Sequence, residues 1–149
     1  MSKYDCLKLE NQLCFPLYAC AKAITRHYKP LLDQYDLTYT QYITMMVMWE
    51  RESESVKGLG ECLYLDSGTL TPVINKLIKK GYITKHRSED DARGVIVEIT
   101  ETGRKLRDDM VNVPKQMGGC VNLSDKDAAD LYRILNTILN HFDELDGKE

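Results

Sequence analysis

The sequence predicts a mainly α-helical chain that carries one two-stranded β-hairpin between its central and its C-terminal helices. Three observations predict this class. Apolar residues recur at spacings of three and four over most of the chain, helix-capping residues stand before several of those segments, and strict alternation is confined to residues 94–100. With 149 residues, we expect residues 1–149 to form a single domain with a modest core.

The first predicted helix covers residues 13–35, along which apolar side chains form one stripe. Pro30 should bend or end this helix late, because an internal proline removes a backbone hydrogen bond. Thr38 and Gln41 have the spacing of a capping box at the start of the next helix. That helix is apolar on nearly every side, which predicts a central position in the core.

Two further helices follow, a short one at residues 56–64 and a second that ends at Lys80. Gly81 fits the position that follows a helix end, where a left-handed backbone conformation is common. Pro72 requires that the regular helix begin near Thr69 or that its first turns be distorted. Two helices joined by such a short turn predict a helix-turn-helix.

The hairpin is predicted at residues 82–86 and 94–100, with a polar, charged loop between the strands. A helix at about 101–113 should end near Pro114, Gly118 to Cys120 should form a turn, and Ser124 should cap a last amphipathic helix. The fold class is therefore a winged helix-turn-helix. We expect the winged lobe at about residues 38–100 and long dimerisation helices at about 1–36 and 101–149.

The outer helices carry apolar stripes that the small lobe does not cover. A second copy of the chain is the simplest cover, because a symmetric dimer also matches two DNA half-sites. No apolar run reaches 18 residues, and the N-terminus does not read as a signal peptide. We therefore expect a cytoplasmic homodimer with no membrane partner.

The charge of the chain is unevenly distributed. The net charge is -3, yet residues 70–107 contain nine Lys or Arg and five Asp or Glu. A basic segment within an acidic protein predicts a local interface with nucleic acid, although a charged surface can also be simply solvated.

The helix that ends at Lys80 has the residues of a DNA-reading helix. Hydroxyls contact phosphate or base edges, asparagine pairs with adenine, and lysine reaches guanine or phosphate. The candidates are Ser67, Thr69, Thr71, Asn75 and Lys76. In the loop, Arg93 can enter the minor groove, and Asp91 can hold its guanidinium in a bidentate pair. The alternative is a capped core helix with solvated polar residues, followed by a surface salt bridge in a turn.

Several segments resemble the MarR family of regulators. The residues Asp91-Ala92-Arg93, followed by Ile99-Thr100, resemble the wing signature of that family. The segments LENQLCF (9–15), YKPLLD (28–33), LTYTQY (37–42) and LYLDSGTLTP (63–72) resemble the organic-hydroperoxide-resistance regulator branch. The resemblance covers residues 7–113 well and is weaker from Pro114 onward. It implies a dimeric repressor that binds double-stranded operator DNA and is relieved by an organic hydroperoxide.

The cysteine count excludes two kinds of site. The number is odd and no Cys-x-x-Cys pair occurs, so neither a zinc site nor a disulfide framework is expected, and we predict no metal and no cofactor. We expect most of these side chains to be buried as small apolar groups, Cys62 in the core of the helix-turn-helix among them. The five are Cys6, Cys14, Cys20, Cys62 and Cys120.

Cys14 stands apart, because Pro16 places it at or near a helix N-terminus. The positive end of a helix favours the thiolate, which is the form that attacks peroxide. The resemblance implies that Cys14 is the peroxidatic residue and that Tyr28 and Tyr39 of the partner subunit hydrogen-bond its thiolate. Cys120 is the possible resolving residue, and a small thiol is the alternative.

Three other functions remain open. The chain could be a repressor relieved by a small aromatic acid held between the dimer arms and the DNA-binding lobes, or a sensor of a different oxidant. An enzyme, a thiol peroxidase, is less favoured. The three histidines, His27, His86 and His141, are far apart in sequence, and no paired carboxylates or phosphate-binding loop are evident. We therefore predict a regulator that is not an enzyme.

Overall fold

The computed structural model describes residues 1–148 and contains seven α-helices and three β-strands in that range. The helices are α1 (Cys14–Asp33), α2 (Tyr39–Arg51), α3 (Val56–Leu63), α4 (Ser67–Lys79), α5 (Glu101–Met110), α6 (Val113–Val121) and α7 (Asp125–Leu145). The strands are β1 (Ser53–Ser55), β2 (Ile83–Arg87) and β3 (Val95–Ile99). Two 3-10 turns, Asp5–Leu7 and Leu9–Asn11, precede α1. No helix among residues 1–148 has both the length and the apolar character needed to cross a bilayer.

The chain forms two compact units, the first Met1–Pro114 and the second beginning at Lys115. The first unit contains α1 to α5 and the sheet, and the second contains most of α6 and all of α7. The assignment of residues 1–149 to one domain, with a winged lobe at about 38–100 and dimerisation helices on either side, stays a prediction.

Helix α2 lies in the centre of the core, as its composition predicts. The hydroxyl of Thr38 accepts a hydrogen bond from the Gln41 backbone N–H, and the Gln41 side chain accepts one from the Thr38 N–H, which confirms the capping box. Met45 and Met48 are fully buried on this helix. Apolar residues of α1, α3, α4 and the sheet pack around them, and each fully buried side chain of this size stabilises the fold by roughly 1.5–3 kcal/mol.

Helix α4 begins earlier than expected. Asp66 is its N-cap and Ser67 its first residue, so Pro72 lies inside the helix. Of the two alternatives that Pro72 left open, a start near Thr69 is therefore excluded. Because proline has no N–H, the carbonyl of Gly68 loses its helical partner, and both residues are exposed, so that water can replace it. At the other end Gly81 has φ +81° and its N–H bonds the Ile78 carbonyl at 2.9 Å, which confirms the predicted helix stop.

The sheet has three antiparallel strands in the order β1-β3-β2. The wing hairpin, β2 and β3, is confirmed within one residue of its predicted bounds. The prediction of a two-stranded sheet is corrected by β1, which pairs Ser53 with Glu98 and Ser55 with Ile96. This strand has three polar residues, so no alternation of apolar and polar residues marks it in the sequence.

The C-terminal part contains one helix more than predicted. Helix α5 ends at Met110, and α6 then includes Pro114 and the segment Gly118–Cys120, so the predicted turn at that segment is wrong. Pro114 stands in the first turn of α6, where the missing N–H has no helical partner to lose. Helix α6 ends at Val121, and the next residue, Asn122, has φ +54°. Ser124 caps α7 as predicted, its hydroxyl accepting from the Asp127 N–H at 3.1 Å.

Candidate functional site

Burial divides α4 into two faces. Leu70, Val73, Ile74 and Leu77 are buried and fix the helix to the core. The predicted DNA-contacting residues are all exposed; they are Ser67, Thr69, Thr71, Asn75 and Lys76. Lys79 is also exposed and stands one turn after Asn75, so it belongs to the same outward face. The sequence prediction omitted Lys79, although the four-residue spacing from Asn75 was sufficient to find it.

The N-terminal turn of α4 is fixed by Asp66. Its Oδ1 accepts a hydrogen bond from the Thr69 backbone N–H at 2.8 Å. This hydrogen bond is the largest cause of a lowered pKa of Asp66, so the carboxylate is charged at neutral pH. The charge also interacts favourably with the positive end of the helix. The cap therefore fixes the backbone of the turn from which the exposed side chains of Ser67 and Thr69 project.

Two basic residues of the wing project from the face of the sheet that packs on the core. The register pairs Lys85 with Val97 and Arg87 with Val95, so both project from the face of the sheet that carries the buried Ile83. The ammonium of Lys85 donates a hydrogen bond of 3.1 Å to Oδ1 of Asn75. The sequence prediction missed Lys85 and Arg87, although counting every second residue from Ile83 would have placed them there.

The wing tip is an ordered turn with one correction to its predicted chemistry. The hydroxyl of Ser88 accepts hydrogen bonds from the backbone N–H groups of Asp90 and Asp91 at 3.2 and 3.3 Å. Asp91 Oδ1 accepts the backbone N–H of Arg93 at 3.0 Å, so the predicted bidentate pair with the guanidinium is wrong. Residues two apart in a turn favour this side chain-to-backbone bond. Arg93 is exposed, and its guanidinium has no ion pair among residues 1–148, which leaves it available to a phosphate.

Cys14 is the first residue of α1, and its side chain is exposed. The prediction of a helix N-terminal cysteine is therefore confirmed. The N-cap residue, Leu13, supplies no side-chain hydrogen bond to the first turn, and Pro16 has no N–H. Leu13 and Phe15 are both exposed, at 83% and 43%, so the surroundings of the thiol in this protomer are apolar and uncovered.

Four aromatic rings form a chain from α1 to α2. The centroids of Tyr28 and Tyr39 are 4.9 Å apart, those of Tyr28 and Tyr42 are 5.8 Å apart, and those of Tyr42 and Trp49 are 6.4 Å apart. The indole N–H of Trp49 donates to the carbonyl of Gly103 at 2.8 Å. This row of aromatic rings therefore connects α1, through α2, to the first turn of α5.

Tyr28 and Tyr39, the proposed donors to the thiolate, have hydroxyls that are available for a hydrogen bond. Burial raises the pKa of Tyr28 and of Tyr39, and burial raises the pKa of Tyr42 to about 12. The phenols are therefore protonated donors at neutral pH. Among residues 1–148, the hydroxyls of Tyr28 and Tyr39 have no hydrogen-bond partner. Tyr28 lies 14 residues beyond Cys14 on one helix, about 21 Å along its axis, so one protomer does not bring the thiol and this phenol together.

All five cysteines are exposed in the protomer, so the prediction that most are buried, with Cys62 in the core, is wrong. On α3 the buried position is Leu59, and Cys62 lies on the outer side of that short helix. Cys14 is in the first compact unit, whereas Cys120 is in the second, within α6. Among residues 1–148, no group of three or more His, Cys, Asp or Glu side chains could hold a metal ion.

Relatives of this chain are transcriptional regulators. Residues 26–110 match the family model described as "Transcriptional regulator SarA/Rot". The chain is 46% identical to the organic hydroperoxide resistance transcriptional regulator of Bacillus subtilis, over 93% of this chain and 94% of that protein. It is 38% identical to the HTH-type transcriptional regulator SarZ of Staphylococcus aureus, over 94% of this chain and 95% of SarZ.

Solved structures with similar folds include AbfR of Staphylococcus epidermidis. Reduced AbfR bound to DNA superposes with a TM-score of 0.77 at 27% identity, over 95% of this chain and 99% of AbfR. The disulfide-formed AbfR gives a TM-score of 0.65 at 26% identity, over 92% and 96% of the two chains. By its sequence and its fold, this chain belongs to the MarR family of winged-helix transcriptional regulators and, within it, to the organic hydroperoxide resistance regulators.

Proposed function

We propose that this protein is a DNA-binding transcriptional repressor that senses organic hydroperoxides by oxidation of Cys14 and then releases its operator. One observation carries the proposal: an exposed thiol stands at the uncapped N-terminal end of α1, in a chain 46% identical to an organic hydroperoxide resistance regulator. The repressor acts in the cytoplasm as a homodimer on double-stranded DNA, with an organic hydroperoxide as its inducer.

The exposed face of α4 enters the major groove in this proposal. Ser67, Thr69 and Thr71 supply hydroxyls for phosphates and base edges, and Asn75 and Lys76 follow along the groove. The wing places Arg93 in the neighbouring minor groove, where the negative potential is strongest if the groove is narrow. Asp91 orders the backbone at the wing tip through its bond to the Arg93 N–H, without holding the guanidinium itself.

The redox step begins with the Cys14 thiolate. Its sulfur attacks the terminal oxygen of the hydroperoxide, so an S–O bond forms and the O–O bond breaks. The released alkoxide takes a proton and leaves as an alcohol, while the sulfur becomes a sulfenic acid. The Cys120 thiol then condenses with it, forming a disulfide and releasing water. A small thiol completes the same reaction if Cys120 does not.

Tyr28 and Tyr39 of the partner subunit stabilise the thiolate before oxidation. A donor to an anionic sulfur must keep its proton and must not already donate it to another group. The phenols of both tyrosines remain protonated at neutral pH, and their hydroxyls have no hydrogen-bond partner among residues 1–148. Because about 21 Å of helix separates Cys14 from Tyr28 in one protomer, the contact has to be made between two protomers.

The dimer is supported by the uncovered outer helices. In α1 only Leu32 is buried, and in α7 no residue is. The exposed apolar residues of α7 recur at helical spacing and include Leu131, Ile134, Phe142 and Leu145. A second copy of the chain supplies the apolar surface that these faces need.

The proposed sensor is tested by treating the protein with one equivalent of cumene hydroperoxide. We expect the mass spectrum of the wild type to show oxidation at Cys14, and operator binding in fluorescence anisotropy to be lost. Cys14→Ser should bind the operator and ignore the oxidant. Cys20→Ser, an exposed cysteine of the same helix, is the matched control and should behave as the wild type. A full response by Cys14→Ser would overturn the proposal.

One observation favours a second candidate, a repressor relieved by a small aromatic acid. A cavity of about 210 Å³ lies between α1 and the start of α2, and its lining includes Lys29 and Asp33 beside the apolar groups of Leu32, Leu37 and Tyr39. The Lys29 ammonium is paired with Asp33 at 2.8 Å, so an aromatic carboxylate would bind there by replacing Asp33 as the partner of that ammonium. The same Cys14→Ser variant separates the two functions, because a ligand-gated repressor keeps its induction.

The protein is a stoichiometric sensor, not an enzyme, in this proposal. A peroxidase regenerates its thiol at each cycle, whereas a sensor needs to react only once. We expect each subunit to consume one hydroperoxide in the presence of a thiol reductant. Sustained consumption over many equivalents would instead indicate a thiol peroxidase.

A further inference from the structure

We propose that Lys85 sets the base preference of Asn75, so that the two side chains together read hydrogen-bond acceptors, above all those of guanine. Lys85 then orients the Asn75 amide and also offers its own ammonium to the base. The proposal rests on the proposed function, because it takes the outward face of α4 as the surface that meets base edges.

The geometry places Asn75 in the middle of that face. It lies one turn after Thr71 and one turn before Lys79, on the side of the helix opposite the buried Val73 and Leu77. Side chains in this position point away from the core, toward whatever occupies the groove in front of the helix.

Lys85 reaches Asn75 from a different element. It lies in β2, where it pairs with the buried Val97 of β3, so its backbone position is fixed by the sheet. Its ammonium is 3.1 Å from Asn75 Oδ1 and donates a hydrogen bond to it. The orientation of the amide is thereby set, with its oxygen toward Lys85 and its NH₂ group left to other partners.

This orientation changes which base edge the Asn75 amide can recognise. An unrestrained asparagine pairs with adenine by accepting from N6 and donating to N7, which uses one of the two lone pairs of its carbonyl oxygen. Here that oxygen already accepts from an ammonium, whose positive charge disfavours the approach of a second donor such as the adenine amino group. The remaining amide N–H groups and the ammonium are all donors, and guanine offers two acceptors in the major groove, O6 and N7. The proposal thus differs from the adenine pairing expected of Asn75 from the sequence, and the base measured at this position decides between them.

The test measures operator affinity by fluorescence anisotropy at fixed salt, with each base pair of a half-site changed in turn. The position read by Asn75 is the one at which Asn75→Ala loses discrimination. At that position we expect the wild type to bind guanine about tenfold more tightly than adenine. Lys85→Met should lower that ratio about tenfold or reverse it, and Lys85→Arg, which keeps a donor, should restore it.

Lys79→Met is the matched control, because it removes one positive charge from the same outward face without touching Asn75. It should weaken binding to all four bases equally, as the loss of a phosphate contact does. The proposal is overturned if Lys85→Met shows the same uniform loss, or if the wild type prefers adenine at this position. Failure of the proposed function has a different signature, namely equal affinity of the wild type for the operator and for unrelated DNA.

Discussion

Lys80 donates a hydrogen bond of 3.1 Å to Oε1 of Gln41 and thereby ties the end of α4 to the first turn of α2. Lys80 is the C-cap residue of α4, and Gln41 is 3% exposed. The same ammonium donates to the backbone carbonyl of Asp36 and lies 3.5 Å from its carboxylate. Helix α4, the proposed DNA-reading helix, is therefore anchored to the turn that precedes Tyr39, a proposed donor to the sensor thiolate.

Lys80→Met should lower the free energy of unfolding by about 1–2 kcal/mol, because it removes a charged donor from partly buried acceptors. Urea unfolding monitored by circular dichroism measures the change. Lys79→Met removes the same charge from the same helix end, yet Lys79 is exposed, so its effect should stay within about 0.5 kcal/mol. Equal effects of the two substitutions would show that the link to Gln41 contributes nothing.

Arg93→Ala should weaken operator binding by about 1–3 kcal/mol. The guanidinium at the wing tip has no ion pair within the described part of the chain, so DNA is its natural partner. A salt titration should also show a slope smaller by about one, because one fewer counterion is released. Arg133→Ala, on α7, is the control and should leave affinity unchanged. An unaltered affinity for Arg93→Ala would mean that the wing does not contact DNA.

The stability of α4 should depend on pH through Asp66. The pKa of this carboxylate is lower in the folded state than in the unfolded state. Its contribution to stability is therefore fully present above the unfolded pKa, which is about 4. It is lost as the pH falls through the folded pKa. Asp66→Asn keeps a capping side chain and cannot titrate, so the difference in melting temperature between wild type and variant should change on going from pH 7 to pH 3. A constant difference would contradict the assignment.

If Cys120 resolves the sulfenic acid, peroxide-treated protein should show a new disulfide between Cys14 and Cys120. An intersubunit bond gives a covalent dimer on a non-reducing gel, and Cys120→Ser should abolish that band. Cys62→Ser, which removes another exposed thiol, should keep it. Full DNA release with only a monomer band would reject Cys120 as the partner in an intersubunit bond and leave Cys14 as the sensor.

Tyr28→Phe and Tyr39→Phe should each slow the alkylation of Cys14 by iodoacetamide, followed over time by mass spectrometry at one fixed pH. The reason is that a phenol donor stabilises the thiolate relative to the thiol. Tyr82→Phe is the control, because it removes the hydroxyl of another partly buried tyrosine, one that stands between α4 and β2 in the sequence. Reaction profiles that coincide for all four proteins would remove the tyrosines from the sensor.

The sequence predicted correctly those features that depend on residues close together in the chain. The capping box of Thr38 and Gln41, the helix stop at Gly81 and the place of Cys14 at a helix start all follow from local chemistry, and all are confirmed. The exposure of the candidate residues on α4 follows in the same way, from helical spacing.

The features that the sequence did not predict depend on contacts between distant segments. Strand β1 exists because Glu54 pairs with Val97, 43 positions away, and nothing in its own three residues marks it. Lys85 meets Asn75 only because the sheet packs beside α4. The Asp91 error has another origin: two hydrogen bonds compete for one carboxylate, and the backbone N–H, already fixed by the turn, wins over a mobile guanidinium.

Trp49 is the only tryptophan in the chain, and it ends the row of aromatic rings that starts at Tyr28. At such short separations, light absorbed by the tyrosines is transferred to the indole, so the emission of the protein comes mainly from this one site. A change in the packing of Tyr28 or Tyr39 alters that transfer and the environment of the indole. The protein thus carries an internal optical reporter, through which peroxide sensing can be followed in real time without any label.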